Sequence, residues 1–399
     1  MRAQPGGKVG MSIAPGEPGT QDLPPATQVR TIACLMLNGI GDIVCVSPVF
    51  EALKRRYPAA RLTIIMRLHL RGLVEGSAFV DDVLFYETAR PWQRLVFLAR
   101  ANRRRFDLWV DLHVPTFNTM SSNRRDFLRN AWLLRVARPR FAVAYATPEL
   151  RSLLSHPVPV PSAHDLRTTS IVRTTLDIVT RGAAARFGKH VPVTAIEREW
   201  AERALPGGDT LRIGLFFGSR QPADLWPAGK VLEFVAMLGT RLPGAEIVLI
   251  GGEHESATAS VLAAAVARAG LRLHDFVCKV GLGQTAALLA RCTVFVSTDS
   301  GPMHIADAMG VPMVALFSSK NYPAIWRPVH ARTELINHAV DCGPCFRASC
   351  NIGNKCMQMI EPTEVLDALL RLLHFSRAAV ATDTVATGEE RVPRALPGG

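Results

Sequence analysis

STDSGPMHIADAMGVPMVALF, residues 297–317, reads as a strand end, a tight turn, a short helix and a second strand in one run. The strand-like TVFVS stops at Ser297, and Asp299-Ser300-Gly301 makes the turn. Pro302 opens a helix expected over 302–309, since a first-turn proline forfeits no helical hydrogen bond. The start of such a helix presents unpaired N–H groups and a positive dipole end, which suits an anion. Gly301 lets another group approach the backbone, and His304 sits one turn in, on the side expected to face a ligand. Asp299 or Ser300 also suits the cap of the helix.

The same alternation extends in both directions. Downstream of Leu211, RIGLFFG, AEIVLIGG, TVFVS and VPMVALF read as strands, separated by helices expected over 227–241, 253–269 and 302–309. Upstream, TIACLML, RLTIIMR, DDVLFYE and FDLWVDLH read as a separate strand series, with a helix expected over 48–56. Strands alternating with helical stretches imply βαβ crossovers and parallel sheets covered on both faces. The fold class is therefore α/β, with two Rossmann-like, doubly wound domains facing across a cleft. A length of 399 residues suits two such domains, because single cores stop growing near ~250–300 residues. The series restarts after PGGD, residues 206–209, which reads as the linker between a domain over 29–205 and another over 210–375. The Pro- and Gly-rich residues 1–28 and the tail 376–399 read as disordered. Sheets of this type bind ligands beyond the carboxyl ends of their strands.

Net charge is +12, and it is concentrated. Residues 91–140 hold eleven arginines against Asp107, Asp111 and Asp126, a local excess of +8. In PWQRLVFLARANRRRF and RRDFLRNAWLLRVARPRF the basic residues interleave with apolar ones, a composition suited to an anionic membrane surface or lipid headgroup. No apolar run approaches the roughly 18–20 residues that would cross a bilayer, and the opening residues lack a secretory pattern. The expected location is cytoplasmic, peripheral on the inner face of the cytoplasmic membrane. A nucleic-acid-binding protein without transferase activity is the competing class, but the aromatic-plus-basic platform of single-strand binders is absent.

LMLNGIGDIVCVSPVF, residues 35–50, is apolar apart from Asp42, directly after Gly39-Ile40-Gly41. A buried, unpaired carboxylate is costly, so Asp42 is either paired, as a cap of the next helix, or used. The glycines do not form G-x-G-x-x-G, because position 44 is Val44, and no P-loop pattern occurs. Nicotinamide and P-loop chemistry lose support accordingly. Two further strand ends add polar groups: Ser219 and Arg220 in FFGSR suit a diphosphate, and Glu253 in LIGGEHE suits ribose hydroxyls. No D-x-D pair suggests a metal-bridged diphosphate. DCGPCFRASCNIGNKCM gathers Cys342, Cys345, Cys350 and Cys356, a set suited to structural zinc, to free thiols or to a disulfide.

The stretches LNGIGDIVCVSPVFEALKRRYPAARLTII, STDSGPMHIADAMGVPMVALF and CGPCFRASCNIGNKCMQMIEPTEVLDALL resemble family 9 glycosyltransferases, the heptosyltransferases of the lipopolysaccharide inner core. The resemblance covers residues 31–373 and implies a GT-B fold, an ADP-heptose donor, an anionic lipid-linked saccharide acceptor and inverting transfer without a metal. A GT-B transferase using a different nucleotide-sugar is the alternative. By position, the resemblance implies Asp42 as general base, with Asn38 and Gly41 on the acceptor side. It implies Glu253, Asp299 and His304 on the donor side, where the strand-end reading adds Ser219, Arg220, Ser300 and Gly301. One departure stands out. Family members often carry a lysine two residues before the Trp-Pro that opens a helix, whereas Trp226-Pro227 here has Asp224 at that place. Arg220 is left to supply the missing charge.

Overall fold

The computed structural model describes residues 22–87, 90–115, 124–182, 187–207 and 210–386. Among them the strands form two six-stranded sheets, parallel throughout. The first holds β1 (Thr31–Leu35), β2 (Arg61–Met66), β3 (Asp82–Phe85), β4 (Leu108–Asp111), β5 (Phe141–Tyr145) and β6 (His156–Val158), in the order β3-β2-β1-β4-β5-β6. The second holds β7 (Arg212–Phe216), β8 (Glu246–Leu249), β9 (Arg272–Asp275), β10 (Val294–Thr298), β11 (Met313–Phe317) and β12 (Thr333–Asn337), in the order β12-β11-β10-β7-β8-β9. Counted within its own half, the second order is that of the first. Each sheet therefore reverses direction between its first and fourth strands, and the crevice at such a switch point is where doubly wound sheets take ligands.

The central strands are buried along nearly their whole length, which is why they read as unbroken apolar runs. The sequence reading passed over β5, β6, β9 and β12. Three of these lie at a sheet edge, and HPV, RLHD and TELIN are the short or polar strands with which proteins blunt an edge.

The first helix departs from its expected range. It is α1 (Ile40–Arg56), so Pro48 lies in its interior, not in its first turn. Proline has no N–H for the carbonyl of Val44. The neighbouring hydroxyl substitutes for it: Ser47 Oγ donates to Val44 O at 2.7 Å.

The chain passes between the domains earlier than PGGD. Lys189 pairs with Asp307 of the second domain, while the N–H of His190 donates to Ser47 Oγ of the first. The next helix, Ala195–Ala204, packs on Leu282–Leu289 of the second domain. The ends differ from expectation too. Residues 22–28 pack onto the first domain, with Leu23 buried and Tyr57 Oη donating to Pro24 O at 2.9 Å. The closing helix runs Pro362–Ala386, past 375 through the alanine-rich RAAVATDTVA. Residues 1–21 and 387–399 lie outside the described residues.

Candidate active site

β1 and β10 both end in a glycine-containing turn that opens a helix, and the two helix starts meet across the cleft. The second helix is α9 (Gly301–Ala308), the ninth in chain order, among the described residues, of those with eight or more residues. A methyl group added to Gly41 would lie 2.7 Å from His304 Cδ2, and one added to Gly301 would lie 2.7 Å from Ile40 Cβ. These glycines therefore serve the mutual approach of α1 and α9. Gly301 thus makes room for Ile40, and it also lines the cavity. Between and beyond the two turns lies a cavity of about 470 Å³, reached by Gly41 and Asp42 from one side and by Ser219, Arg220, Asp299 and Ser300 from the other.

Asp42 occupies the third position of α1, and the N–H of Gly39 donates to its Oδ2 at 3.0 Å. The cap reading is thus correct, and it does not compete with the other role, because the carboxylate also faces the cavity. Burial raises the Asp42 pKa above the ordinary carboxylate value, opposed by hydrogen bonds from Gly39 and Asn38 and by the charges of His113 and Arg220. A carboxylate of raised basicity is the better proton acceptor near neutral pH. Asn38 borders a small recess behind Asp42, walled also by Leu112 and Trp326.

His113 belongs to a buried network that the sequence reading did not find. Its Nδ1 lies 2.6 Å from Asp111 Oδ1, and Asn130 Nδ2 donates to Asp111 Oδ2 at 3.0 Å. Leu37 N–H points at His113 Nε2 across 3.4 Å, so a neutral ring carries its proton on Nδ1 and donates to Asp111. The signal was present in VDLH at the end of β4, the strand beside β1.

His304 is buried between the domains. Its Nδ1 lies 3.3 Å from Lys189 Nζ and 3.5 Å from Cys45 Sγ. Burial, then the charge of Lys189, pushes its pKa down to about 3, with Asp307 acting in the other direction. A lysine ammonium only donates, so Nδ1 accepts and the ring hydrogen sits on Nε2, the atom nearer Gly41 and the cavity.

On the donor side, a methyl on Gly39 would meet Arg220 Nη2 at 2.5 Å. The guanidinium therefore reaches across the cleft onto the α1 turn. Ser219 Oγ accepts from Gln221 N at 3.0 Å and shapes the turn that carries Arg220. Glu253 is exposed and does not line the cavity. Glu255 does line it, and accepts from Gly252 N at 2.8 Å.

The departure at Asp224 has a structural answer. Lys320, on the loop after β11, forms an ion pair with Asp224 and donates to Gln221 Oε1 at 2.5 Å. Ser318 Oγ donates to the other oxygen of Asp224 at 2.5 Å. A lysine is thus delivered to the same wall of the cavity from a different strand. Spacing along the chain could not reveal it, since the partners are 96 residues apart. Asp299 stands nearby with its pKa raised to about 8 by burial and by the charge of Asp224, opposed by Lys320 and Lys189.

The cysteine-rich segment braces this wall. Phe346 N donates to Lys320 O at 2.9 Å, Ala223 N to Ala348 O at 3.0 Å and Asn354 Nδ2 to Pro222 O at 2.7 Å. Cys342, Cys345, Cys350 and Cys356 are free thiols, and among the described residues no three His, Cys, Asp or Glu side chains group to hold a metal. The segment is laid out along the 222–225 turn.

The sequence model of glycosyltransferase family 9 (heptosyltransferase) matches residues 122–356. The chain belongs to glycosyltransferase family 9. Among relatives of this family 9 chain, lipopolysaccharide heptosyltransferase 3 of Escherichia coli is 22% identical over 306 residues, covering 72% of this chain and 83% of that protein. Lipooligosaccharide heptosyltransferase 2 of Campylobacter jejuni is 28% identical over 85 residues, a match that spans 21% of this chain and 27% of that protein. The solved ADP-heptose lps heptosyltransferase II of E. coli shares the fold with a TM-score of 0.71 at 19% identity, covering 87% of this chain and 99% of that one. An E. coli heptosyltransferase solved with ADP-2-deoxy-2-fluoro heptose gives a TM-score of 0.62 at 15% identity, covering 86% and 99%. The family 9 chain is a GT-B protein, with two Rossmann-like domains facing across the cavity.

Proposed function

We propose that the cleft transfers a heptose, with inversion, from ADP-heptose to a hydroxyl of a lipopolysaccharide inner-core acceptor. The supporting observation is that Asp42, Arg220 and the amino end of α9 border one cavity. In this reading Asp42 takes the proton from the acceptor hydroxyl as its oxygen attacks the anomeric carbon, and the carbon–diphosphate bond breaks on the opposite side. The departing diphosphate is stabilised by the N–H groups at the start of α9 and by Arg220 and Lys320. Those groups supply the positive charge that a cation would otherwise bring, so the proposed transfer requires no metal. The acceptor is lipid-linked and anionic, which assigns the enzyme to the cytoplasmic face of the inner membrane as a peripheral protein. No helix among the described residues is long and apolar enough to cross a membrane.

A different nucleotide-sugar is the second reading, favoured because Lys320 on this wall is already paired with Asp224, unlike the lysine that family members often carry. A thermal-shift screen against ADP-, UDP- and GDP-sugars separates the two, because a ligand that binds the folded state raises its apparent stability. ADP and ADP-heptose are expected to raise the melting temperature, and ADP-heptose to support transfer to a heptose-deficient acceptor. Stabilisation by UDP- or GDP-sugars alone would overturn the assignment of the donor.

A further inference from the structure

The helices α2 (Pro91–Arg104) and α3 (Arg124–Ala137) pack side by side on the outer face of the first sheet. Each buries one stripe in the ordinary way: Phe97 and Ala101 from α2, and Phe127, Ala131 and Leu134 from α3. Each also carries a second apolar stripe that faces solvent. Trp92 is 55% exposed, Leu95 67% and Val96 39%, and on the neighbouring helix Leu128 is 49% and Trp132 42% exposed. At 100° per residue, 92, 95 and 96 lie on one side of α2, opposite its buried stripe, and 128 and 132 lie on one side of α3.

The charged side chains around these stripes are arginines. Arg100 and Arg103 on α2 and Arg125 and Arg135 on α3 form no ion pair with a carboxylate among the described residues. This is unlike Arg104 and Arg129, which pair with Asp82 and Asp126 at 2.8 and 2.6 Å. Arg125, Leu128, Trp132 and Arg135 recur at intervals of three and four, so on α3 the apolar residues sit between two cations. Solvent-facing tryptophans flanked by unpaired arginines match a bilayer interface, where indole rings settle at headgroup level and guanidinium groups bind lipid phosphates.

Position adds to composition. α2 follows the carboxyl end of β3 and α3 follows that of β4, so both helices begin at the sheet edge where Asp42 lies. Trp92 stands in the first turn of α2. We propose that the outward faces of α2 and α3 form a docking surface for an anionic lipid leaflet, with Trp92, Leu95, Val96, Leu128 and Trp132 inserted and Arg100, Arg103, Arg125 and Arg135 on phosphate. Docking there turns the mouth of the cleft toward the leaflet. The inference rests on the proposed lipid-linked acceptor for that orientation only; binding to bare lipid is independent of it.

The test is flotation of the full chain with vesicles of phosphatidylcholine alone and of phosphatidylcholine with phosphatidylglycerol, neither containing any saccharide acceptor. The expected result is capture by the anionic vesicles alone, weakened by salt, and at least tenfold weaker for the variant Trp92→Ala/Leu95→Ser/Trp132→Ala. That variant is expected to keep its melting temperature, its ADP affinity and its turnover on a delipidated oligosaccharide acceptor. Equal capture by both vesicle types, or unchanged capture of the variant, overturns the proposal. So does an oligomer in light scattering that the variant breaks up, which would make the patch a contact between copies. Salt-sensitive binding to duplex DNA that displaces the protein from anionic vesicles also overturns it, by giving the surface to nucleic acid. A failure of ADP binding in the wild-type chain, with vesicle capture intact, would count against the catalytic reading and leave the docking surface standing.

Discussion

Lys189 Nζ lies 2.6 Å from Asp307 Oδ2, with both side chains withdrawn from solvent. Asp307 also accepts the backbone N–H groups of Val329, His330 and Ala331 at 3.0, 2.9 and 2.7 Å. The segment crossing between the domains is thereby fixed to the second domain by one ion pair, and the same ammonium bears on His304. Breaking a buried pair by removing one partner costs about 3–5 kcal/mol. Lys189→Met is expected to lose that much in urea unfolding. Asp307→Leu is expected to lose at least as much, since it also strands three N–H donors. A loss below about 1 kcal/mol for Lys189→Met would show that the pair does not hold the crossing segment.

Asp42→Asn separates capping from catalysis. The asparagine oxygen still accepts from Gly39, so α1 keeps its cap and the fold its stability. The proton acceptor is gone, and transfer is expected to fall by roughly 10²–10⁴-fold with ADP affinity unchanged. In the wild type, turnover should fall on acidification through a pKa above the ordinary carboxylate range, because burial raises that of Asp42. Steady-state kinetics across pH, beside ADP titrations of both proteins, decide this. An unaltered rate in the variant would remove Asp42 from the mechanism.

Asp299 gives a pH dependence of opposite sense. Its pKa is raised to about 8, so it is neutral below that pH and anionic above. An anion held at the start of α9 would lie close to it, and ionisation adds repulsion. ADP affinity is therefore expected to be flat up to about pH 8 and to weaken above it, by at most about tenfold per pH unit. Asp299→Asn should flatten the profile. Isothermal titration at several pH values reads both, and a profile in the variant equal to that of the wild type would place the titration elsewhere.

The parallel sheets were legible because buried parallel strands are apolar on both faces, so VFVST and MVALF announce themselves without context. The paired glycine turns were legible too, but not their purpose. Gly41 and Gly301 look like ligand-facing glycines, and only the second domain shows that each makes room for the other helix. Sequence spacing captures contacts within a turn, such as Asp42 to Gly39. It is blind to partners brought from distant strands, and so Lys320 behind Asp224 and Lys189 beside His304 were out of reach. The edge strands were lost for a related reason: RLHD and TELIN are polar because they lie at a rim, and a polar strand reads as loop. Glu253 and Glu255 differ by two residues, and only the turn they occupy decides which of them meets the cavity.

The interior proline of α1 yields a prediction about coupling. Ser47 Oγ donates to Val44 O at 2.7 Å and accepts from His190 N at 2.7 Å. It thus replaces the N–H that Pro48 lacks and also ties α1 to the crossing segment. Ser47→Ala leaves a buried and a part-buried backbone group unpaired, at up to about 1–3 kcal/mol each. With alanine at 48, an N–H becomes available to Val44 O, and only the His190 N–H remains stranded. Ser47→Ala is therefore expected to cost at least about 1 kcal/mol less in the Pro48→Ala background than in the wild type. A double-mutant cycle by urea unfolding measures the difference. Strict additivity would mean that the Val44 carbonyl is satisfied by some other donor, and that Ser47 acts through His190 alone.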